Sequence, residues 1–477
     1  MAGDRYLDEV EDLEASLGEF AFRSSRATTT AGNELIESLS RQWESDSGAQ
    51  ARLRGRTPAI LERDRILFSD QFRKQDDKNH VLFSGSTRVS RSYQSHSIRA
   101  AHVARAVATR LGLNSDLAEA MALGAKVGSA PFIHVGKRVI DEWMCEKIEE
   151  IDSHAPDRPK GQSVQGTLSV RQNADGTSEL SLPDWVETIA SPSVRSSVSR
   201  YLPWCKGAPE IARAYTSGQQ SYWELTRNPF TLEPDTEFSA QVMYGVWRHS
   251  LVDPTTARFE HTIQIVAEEQ HQISDRHATH EAMVVRYADD ITWVIENLDE
   301  ASRAASLAQQ TTPYSVLSAR TGELPQAVVV ALSGSDGGAL YTYFINDLVA
   351  TTRLAMQAGG REVLETEPIV ALSKEAARCL DGLKEFLVGK VFTHHRVARR
   401  NETLKVLLRQ TLDVLYLTPE AVVRQVEVLS RKHRWYDDDV LSQFQQSLDD
   451  KVNLARVCVS LVSAMSDSEV YSFIGLD

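Results

Sequence analysis

Long apolar runs are missing from this 477-residue chain: none approaches the roughly 20 residues that a helix needs to cross a bilayer. The opening residues, MAGDRYLDEVEDLEASL, lack the succession of basic, apolar and small residues that marks a signal peptide. These two absences make the cytoplasm the expected location and leave no membrane as an expected partner. Net positive charge is missing too, with 52 Lys and Arg against 66 Asp and Glu and a formal charge of -14. That balance excludes a general nucleic-acid coat or an anionic bilayer as the main partner, and leaves only local nucleic-acid contact open. Cysteine is scarce. Cys145, Cys205, Cys379 and Cys458 are scattered, without the close pair that builds a zinc or redox motif, and read as reduced thiols acting as small hydrophobes. The dipeptide His-Asp, finally, occurs nowhere in the chain.

Helical periodicity is what the chain has in quantity. A chain of this length can bury a large core in two or three domains or in one compact helical body. Residues 1–55 read as short helices and a polar linker, 56–300 as the main helical core, and 301–477 as a C-terminal helical region of the same fold. The expected class is therefore mainly α. One interruption stands out at about 153–183, where LSV, RQNADGT and SELSLP alternate about an Asp-Gly turn and predict a small β-hairpin insertion.

Several helices can be placed closely. In RTPAILERDRILFSDQFRKQDDK, Ile60, Ile66 and Phe72 fall at buried positions while Arg63, Arg65 and Arg73 are basic in an acidic chain. From His96, the four-residue spacing of Val103, Val107 and Leu111 predicts a helix that ends at Gly112, a residue suited to a left-handed C-terminal turn. Asn114 or Ser115 caps the next helix, and Glu119 follows as a capping acid. In MVVRYADDITWVIENL, Val284, Ala288, Ile291, Ile295 and Leu298 form one apolar stripe, and Asp289 borders it. A carboxylate there costs free energy unless it meets a metal or a cation.

The motifs occur in a telling order: Arg63-Asp64-Arg65-Ile66, Ser69 and Phe72-Arg73; Ser-His96-Ser before an Ala-rich helix; Gly124-Ala125-Lys126; then Pro131-Phe132-Ile133-His134-Val135-Gly136-Lys137. YTSGQQSYWELTR, with Gln219, Gln220 and Arg227, follows, then Ala288-Asp289-Asp290-Ile291, the basic turn of Arg396, Arg399 and Arg400, and Met465-Ser466-Asp467 near the end. From about Arg56 onward this succession resembles the dGTPase branch of the HD-domain phosphohydrolases. In that family a His opens one helix, a His-Asp pair ends the next, and a second Asp arrives from a distant helix. The resemblance places His96 and Asp289 at the first and last of these positions, as metal ligands only if the site is still occupied. Ala125 and Lys126 then stand where the His-Asp pair would be.

The resemblance further implies a catalytic role for His134, whose counterpart takes part in proton transfer at the phosphate, and it puts Lys137 where an acid would orient or activate water. Arg73, Lys78, His96, Lys126, Lys137, Gln220 and Asp289 are the implied substrate-binding residues. Gln75-Asp76 lies where the family commonly has a Gln that touches the base, while Trp293 replaces a Tyr and Glu296-Asn297 a His-Asp. The plain alternative for Lys126 is a pair with Asp289 that closes the site. Two functions follow. In the first, a dGTPase-like protein with a degenerate metal site and no cofactor binds a deoxynucleoside triphosphate in a regulatory or scaffolding role. In the alternative, an active Mg- or Mn-dependent triphosphohydrolase releases nucleoside and tripolyphosphate, in dNTP control or phage defence, with a site rebuilt from His80, His102, His134, Asp290 or Glu296. The family's ring-like assemblies imply a homo-oligomer, or a hetero-oligomer with an active hydrolase.

Overall fold

The structure, a computed structural model, describes residues 58–79, 92–154, 169–172, 178–181, 217–226, 238–249, 279–319, 324–366, 370–432 and 448–475, together with Ser442, Gln445 and Gln446. The fold is mainly α, as its periodicity predicts. Helices α1 (Pro58–Leu67) and α2 (Asp70–Lys74) break at Ser69, whose hydroxyl accepts from Phe72 N. Ile66 and Phe72 are buried as expected. A short 3-10 turn, Gln75–Asp77, follows.

Helix α3 (Tyr93–Leu111) starts three residues ahead of His96, because Ser92 caps it by accepting from Ser95 N. It ends on Gly112, which takes the left-handed φ of 72°. Asn114 then caps α4 (Ser115–Gly124) by accepting from Leu117 N. Glu119 does not close a capping box there; it pairs with Arg105 and Arg63, and Asp116 is the acid of the first turn. Helix α5 is His134–His154, α6 Ser217–Thr226 and α7 Ala240–Arg248.

Helix α8 (His280–Leu307) is the axis of the larger core. Val284, Ala288, Ile291, Ile295 and Leu298 are all fully buried; each of the larger aliphatic groups contributes about 1.5–3 kcal/mol by leaving water. Against α8 pack α3, α4 and α7, together with α9 (Pro313–Ser318), α11 (Gly337–Thr366) and α12 (Lys374–Phe386), while α10 (Gln326–Ser333) packs on α9 and α11; many of their apolar residues share this cluster.

A second apolar cluster gathers α5 with α13 (His395–Leu417), α14 (Pro419–Lys432), α15 (Lys451–Ser463) and α16 (Asp467–Phe473). Residues 125–133 run from one cluster to the other, since Val127 belongs to the first and Ala130 and Phe132 to the second. The Met465-Ser466-Asp467 motif falls at the break between α15 and α16, where Ser466 and Glu469 form a capping box that starts the new helix. Among the described residues no helix is long and apolar enough to cross a membrane.

Two four-residue segments, Ser169–Gln172 and Ser178–Ser181, pair antiparallel. The turn between them and their surroundings lie outside the described residues, so the insertion expected at about 153–183 stays an expectation. The segment 1–55 lies outside them as well.

Candidate functional site

Two helices far apart in sequence, with the turn after α4, bring five charged groups into one line. On α3, His96 and Arg99 are three residues apart and share a face; on α8, Asp289 and Glu296 are two turns apart and do likewise. Arg99 donates to Glu296 Oε1 at 2.7 Å, His96 Nδ1 lies 2.7 Å from Glu296 Oε2, and His96 Nε2 lies 3.2 Å from Asp289 Oδ1. Lys126, in the turn after α4, donates to Asp289 Oδ2 at 2.6 Å. His96 and Glu296 are each only 1% exposed, so the contact between them acts with little screening, whereas the Arg99 side chain is about half exposed.

The line fixes the protonation states. An imidazole with a carboxylate oxygen at each nitrogen satisfies both only as an imidazolium that donates twice. Burial alone would lower the His96 pKa, but the hydrogen bonds and charges of Asp289 and Glu296 outweigh it and raise it. Burial would likewise raise Asp289; Lys126 and His96 overcome that and hold it well below the usual carboxylate range. Lys126 loses by burial and gains more from Asp289, so its pKa goes up. The line therefore carries three cations against two anions. Tyr93 completes it, its ring stacked on His96 at 5.4 Å and 6.0 Å from the Lys126 ammonium.

The dication that the resemblance implies does not fit these side chains. Asp289 and His96 are the matching donors, yet both Asp289 oxygens and both His96 nitrogens are taken by protein partners, and one of those partners is an ammonium. A dication about 5 Å from that ammonium would meet a repulsion of roughly 6–7 kcal/mol at an effective dielectric of about 20. Among the described residues no group of three or more His, Cys, Asp or Glu side chains is disposed to hold a metal ion.

From Lys126 the chain turns towards His134 under tight control. Gly128 N donates to Ser221 Oγ at 3.0 Å, and Ser221 donates to Ala125 O at 2.8 Å, which ties the turn to α6. Phe132 and Ile133 both adopt left-handed backbone, φ 57° and 48°, at a cost of about 1–2 kcal/mol each. His134 then opens α5, where Trp293 Nε1 donates to His134 Nε2 at 3.2 Å. An indole nitrogen only donates, so His134 is a neutral acceptor. The His134 side chain is exposed, yet desolvation and the charges of Lys137, Lys126 and His96 act in the same sense and lower its pKa. Lys137, three residues on, is exposed.

With this geometry in view, relatives can be compared. A deoxyguanosinetriphosphate triphosphohydrolase-like protein of Clostridium perfringens (strain SM101 / Type A) is 21% identical over 361 residues, 76% of this chain and 75% of that protein. One of Caulobacter sp. (strain K31) is 33% identical over 146 residues, covering 28% of this chain and 37% of that protein. The chain is a relative of the deoxyguanosinetriphosphate triphosphohydrolase-like proteins. A further one, of Pelagibacter ubique (strain HTCC1062), is 40% identical over 89 residues, 19% of this chain and 24% of that protein. The matches thus span well under two thirds of the Caulobacter and Pelagibacter proteins. No protein-family model matches the chain.

The other residues that the resemblance singles out are spread more widely. Arg73 is exposed on α2 and pairs with Asp70. Lys78 is buried and donates to the carbonyl oxygens of Ser129 and Ser463; desolvation and Lys74 lower its pKa to about 8. Gln220 is buried and donates to Glu224 at 2.8 Å. Gln75 is buried and accepts from Ser97 at 2.8 Å. Of the residues considered for a rebuilt metal site, Asp290 accepts from Lys384 at 2.7 Å, Glu296 serves His96 and Arg99, and His102 faces outward from α3. His80, Arg227, Cys205 and the side chain of Gln219 lie outside the described residues. Cys379 and Cys458 are buried thiols, as read from their surroundings.

Three members of the neighbourhood escape sequence reasoning. Arg99 was within reach of it, three residues after His96. Tyr93 precedes the first residue that the pattern assigns to the helix. His249, buried at the end of α7, lies near enough to Lys126 and Asp289 to feel their charges; desolvation and Lys126 lower its pKa to about 3, and its Nδ1 donates to Val246 O at 2.6 Å. No motif surrounds it.

Proposed function

We propose that this chain is a dGTPase-like protein that binds a deoxynucleoside triphosphate and grips its phosphates with lysine where active relatives use a metal, in a regulatory or scaffolding role. The observation that carries this reading is the Lys126–Asp289 ion pair at 2.6 Å, with the second oxygen of Asp289 already taken by His96. An ammonium acts on phosphate as a point charge. Lys126 and the imidazolium of His96 sit in one neighbourhood with Lys137, so an arriving polyanion meets an excess of positive charge inside an acidic chain. Binding then consists of Lys126 exchanging one anion for another. Hydrolysis is not needed.

A second reading has one observation in its favour. His134 is held neutral by the Trp293 indole beside this cationic cluster, which is the state a proton acceptor needs, and the relatives are named triphosphohydrolase-like. Thermal shift with each dNTP, with and without Mn2+ or Mg2+, together with analysis of phosphate products, separates the two. The expected outcome is stabilisation by nucleotide that ignores metal and yields no product. Metal-dependent release of tripolyphosphate would replace the first reading with the second. In either, the assembly is a homo-oligomer or a complex with an active hydrolase, to be checked by light scattering on the eluting species.

A further inference from the structure

Three distant parts of the chain meet at one carboxylate. Asp467, the first residue of α16, is 2% exposed. Its Oδ1 accepts from Phe132 N at 2.7 Å, and its Oδ2 accepts from Asn79 N at 3.0 Å and Asn79 Nδ2 at 3.1 Å. One turn further along α16, Tyr471 packs edge-on against the Phe132 ring with centroids 5.5 Å apart. The last helix therefore holds Phe132 twice, by its main-chain nitrogen and by its ring. Phe132 and Ile133 are the left-handed pair, and β-branched Ile133 pays for that backbone more than most residues would. Strain of this kind persists only where the surroundings impose it, and Asp467 is the charged group that does so here.

From this geometry we infer that Asp467 is a positioning residue for the candidate site, holding the left-handed turn at Phe132–Ile133 so that His134 meets the Trp293 indole. The phosphate part of this inference rests on the nucleotide-binding reading above; the loop geometry does not. Ser466 and Asp77 reinforce the same joint, since Asp77 accepts from the Ser466 hydroxyl and, at 2.8 Å, from the Ser468 hydroxyl.

Two substitutions separate positioning from bulk stability. Asp467→Ser keeps a residue suited to a helix start but cannot reach Phe132 N; Asp467→Asn keeps an oxygen for Phe132 N and gives up the Asn79 bonds, because its amide nitrogen cannot accept from the Asn79 donors. The readouts are the 15N-indole resonance of Trp293, assigned through Trp293→Phe, and the affinity of the full chain for tripolyphosphate. In Asp467→Ser the resonance moves or broadens and the affinity falls about tenfold, whereas in Asp467→Asn the resonance keeps its place and the affinity stays within about twofold of the wild type. A folded Asp467→Ser with a wild-type indole resonance overturns the inference, because a purely structural loss lowers the melting temperature and leaves that hydrogen bond in place. Should that variant not fold, amide exchange in the wild type decides: a slowly exchanging Phe132 N–H supports the tie and a fast one overturns it. Failure of the wild type to bind tripolyphosphate removes the nucleotide reading, while the indole and exchange results still decide the loop.

Discussion

A carboxylate at the edge of a buried helix face demands a partner, and Asp289 takes two, an imidazolium and an ammonium. The consequence is energetic as well as functional. Removing one member of a buried pair strands the other, at a cost of roughly 3 kcal/mol or more. Lys126→Met should accordingly lower the unfolding free energy by about that much in urea, and should abolish stabilisation by nucleotide. Replacing both partners of an isolated pair by apolar groups is close to neutral, but Asp289 also serves the buried His96 Nε2, so Lys126→Met with Asp289→Leu should recover only part of the lost stability and none of the ligand response. A double variant no more stable than the single one would mean that a stranded Asp289 carboxylate is not what the single variant costs.

At the scale of elements, the joint between α1 and α7 makes a prediction in pH. Glu62 on α1 is buried and accepts from both the main chain and the hydroxyl of Ser239, the residue that caps α7. Desolvation nonetheless raises its pKa from 4.5 to about 7. Below about pH 4.5 folded and unfolded chains both hold the proton; between 4.5 and 7 only the folded chain does, so this group's contribution to stability falls as pH rises through that window. Above 7 the charged carboxylate stays buried at a constant cost. Glu62→Gln keeps an acceptor and removes the charge. It should raise the melting temperature at pH 8, corresponding to no more than roughly 3 kcal/mol, and change it little at pH 4. Equal effects at both values would show that charge is not what Glu62 costs.

Across the whole molecule, the loop at 125–133 joins two apolar clusters, and its far end is tied down by the last helix. A chain ending at Ala464 keeps α15 but loses the Asp467 bond, the Tyr471 contact and the burial of Val470. That shortened chain should still show helical circular dichroism, melt at a lower temperature, and give no thermal shift with nucleotide. A preserved nucleotide response in it would place the phosphate grip outside the loop.

Much of this was legible in the sequence, and the rest was hidden for a physical reason. Local rules suffice for α3, where spacing and Gly112 mark its body and end, for the Asn114 cap, and for the apolar stripe of α8 with Asp289 at its border, because these depend on residues within a turn or two of one another. The ordered motifs also pointed to the dGTPase-like relatives, and they raised a Lys126–Asp289 pair as one alternative. Tertiary structure alone decided that Glu296 and Arg99 extend this pair into a line, that Lys78 is spent on two carbonyl oxygens, and that His249 joins the neighbourhood. Each depends on the register between elements separated by tens to hundreds of residues, which no local pattern encodes. The left-handed turn before His134 belongs to the same class: nothing in Pro131-Phe132-Ile133 announces it, and one of its main-chain nitrogens is held by Asp467, 335 residues along the chain.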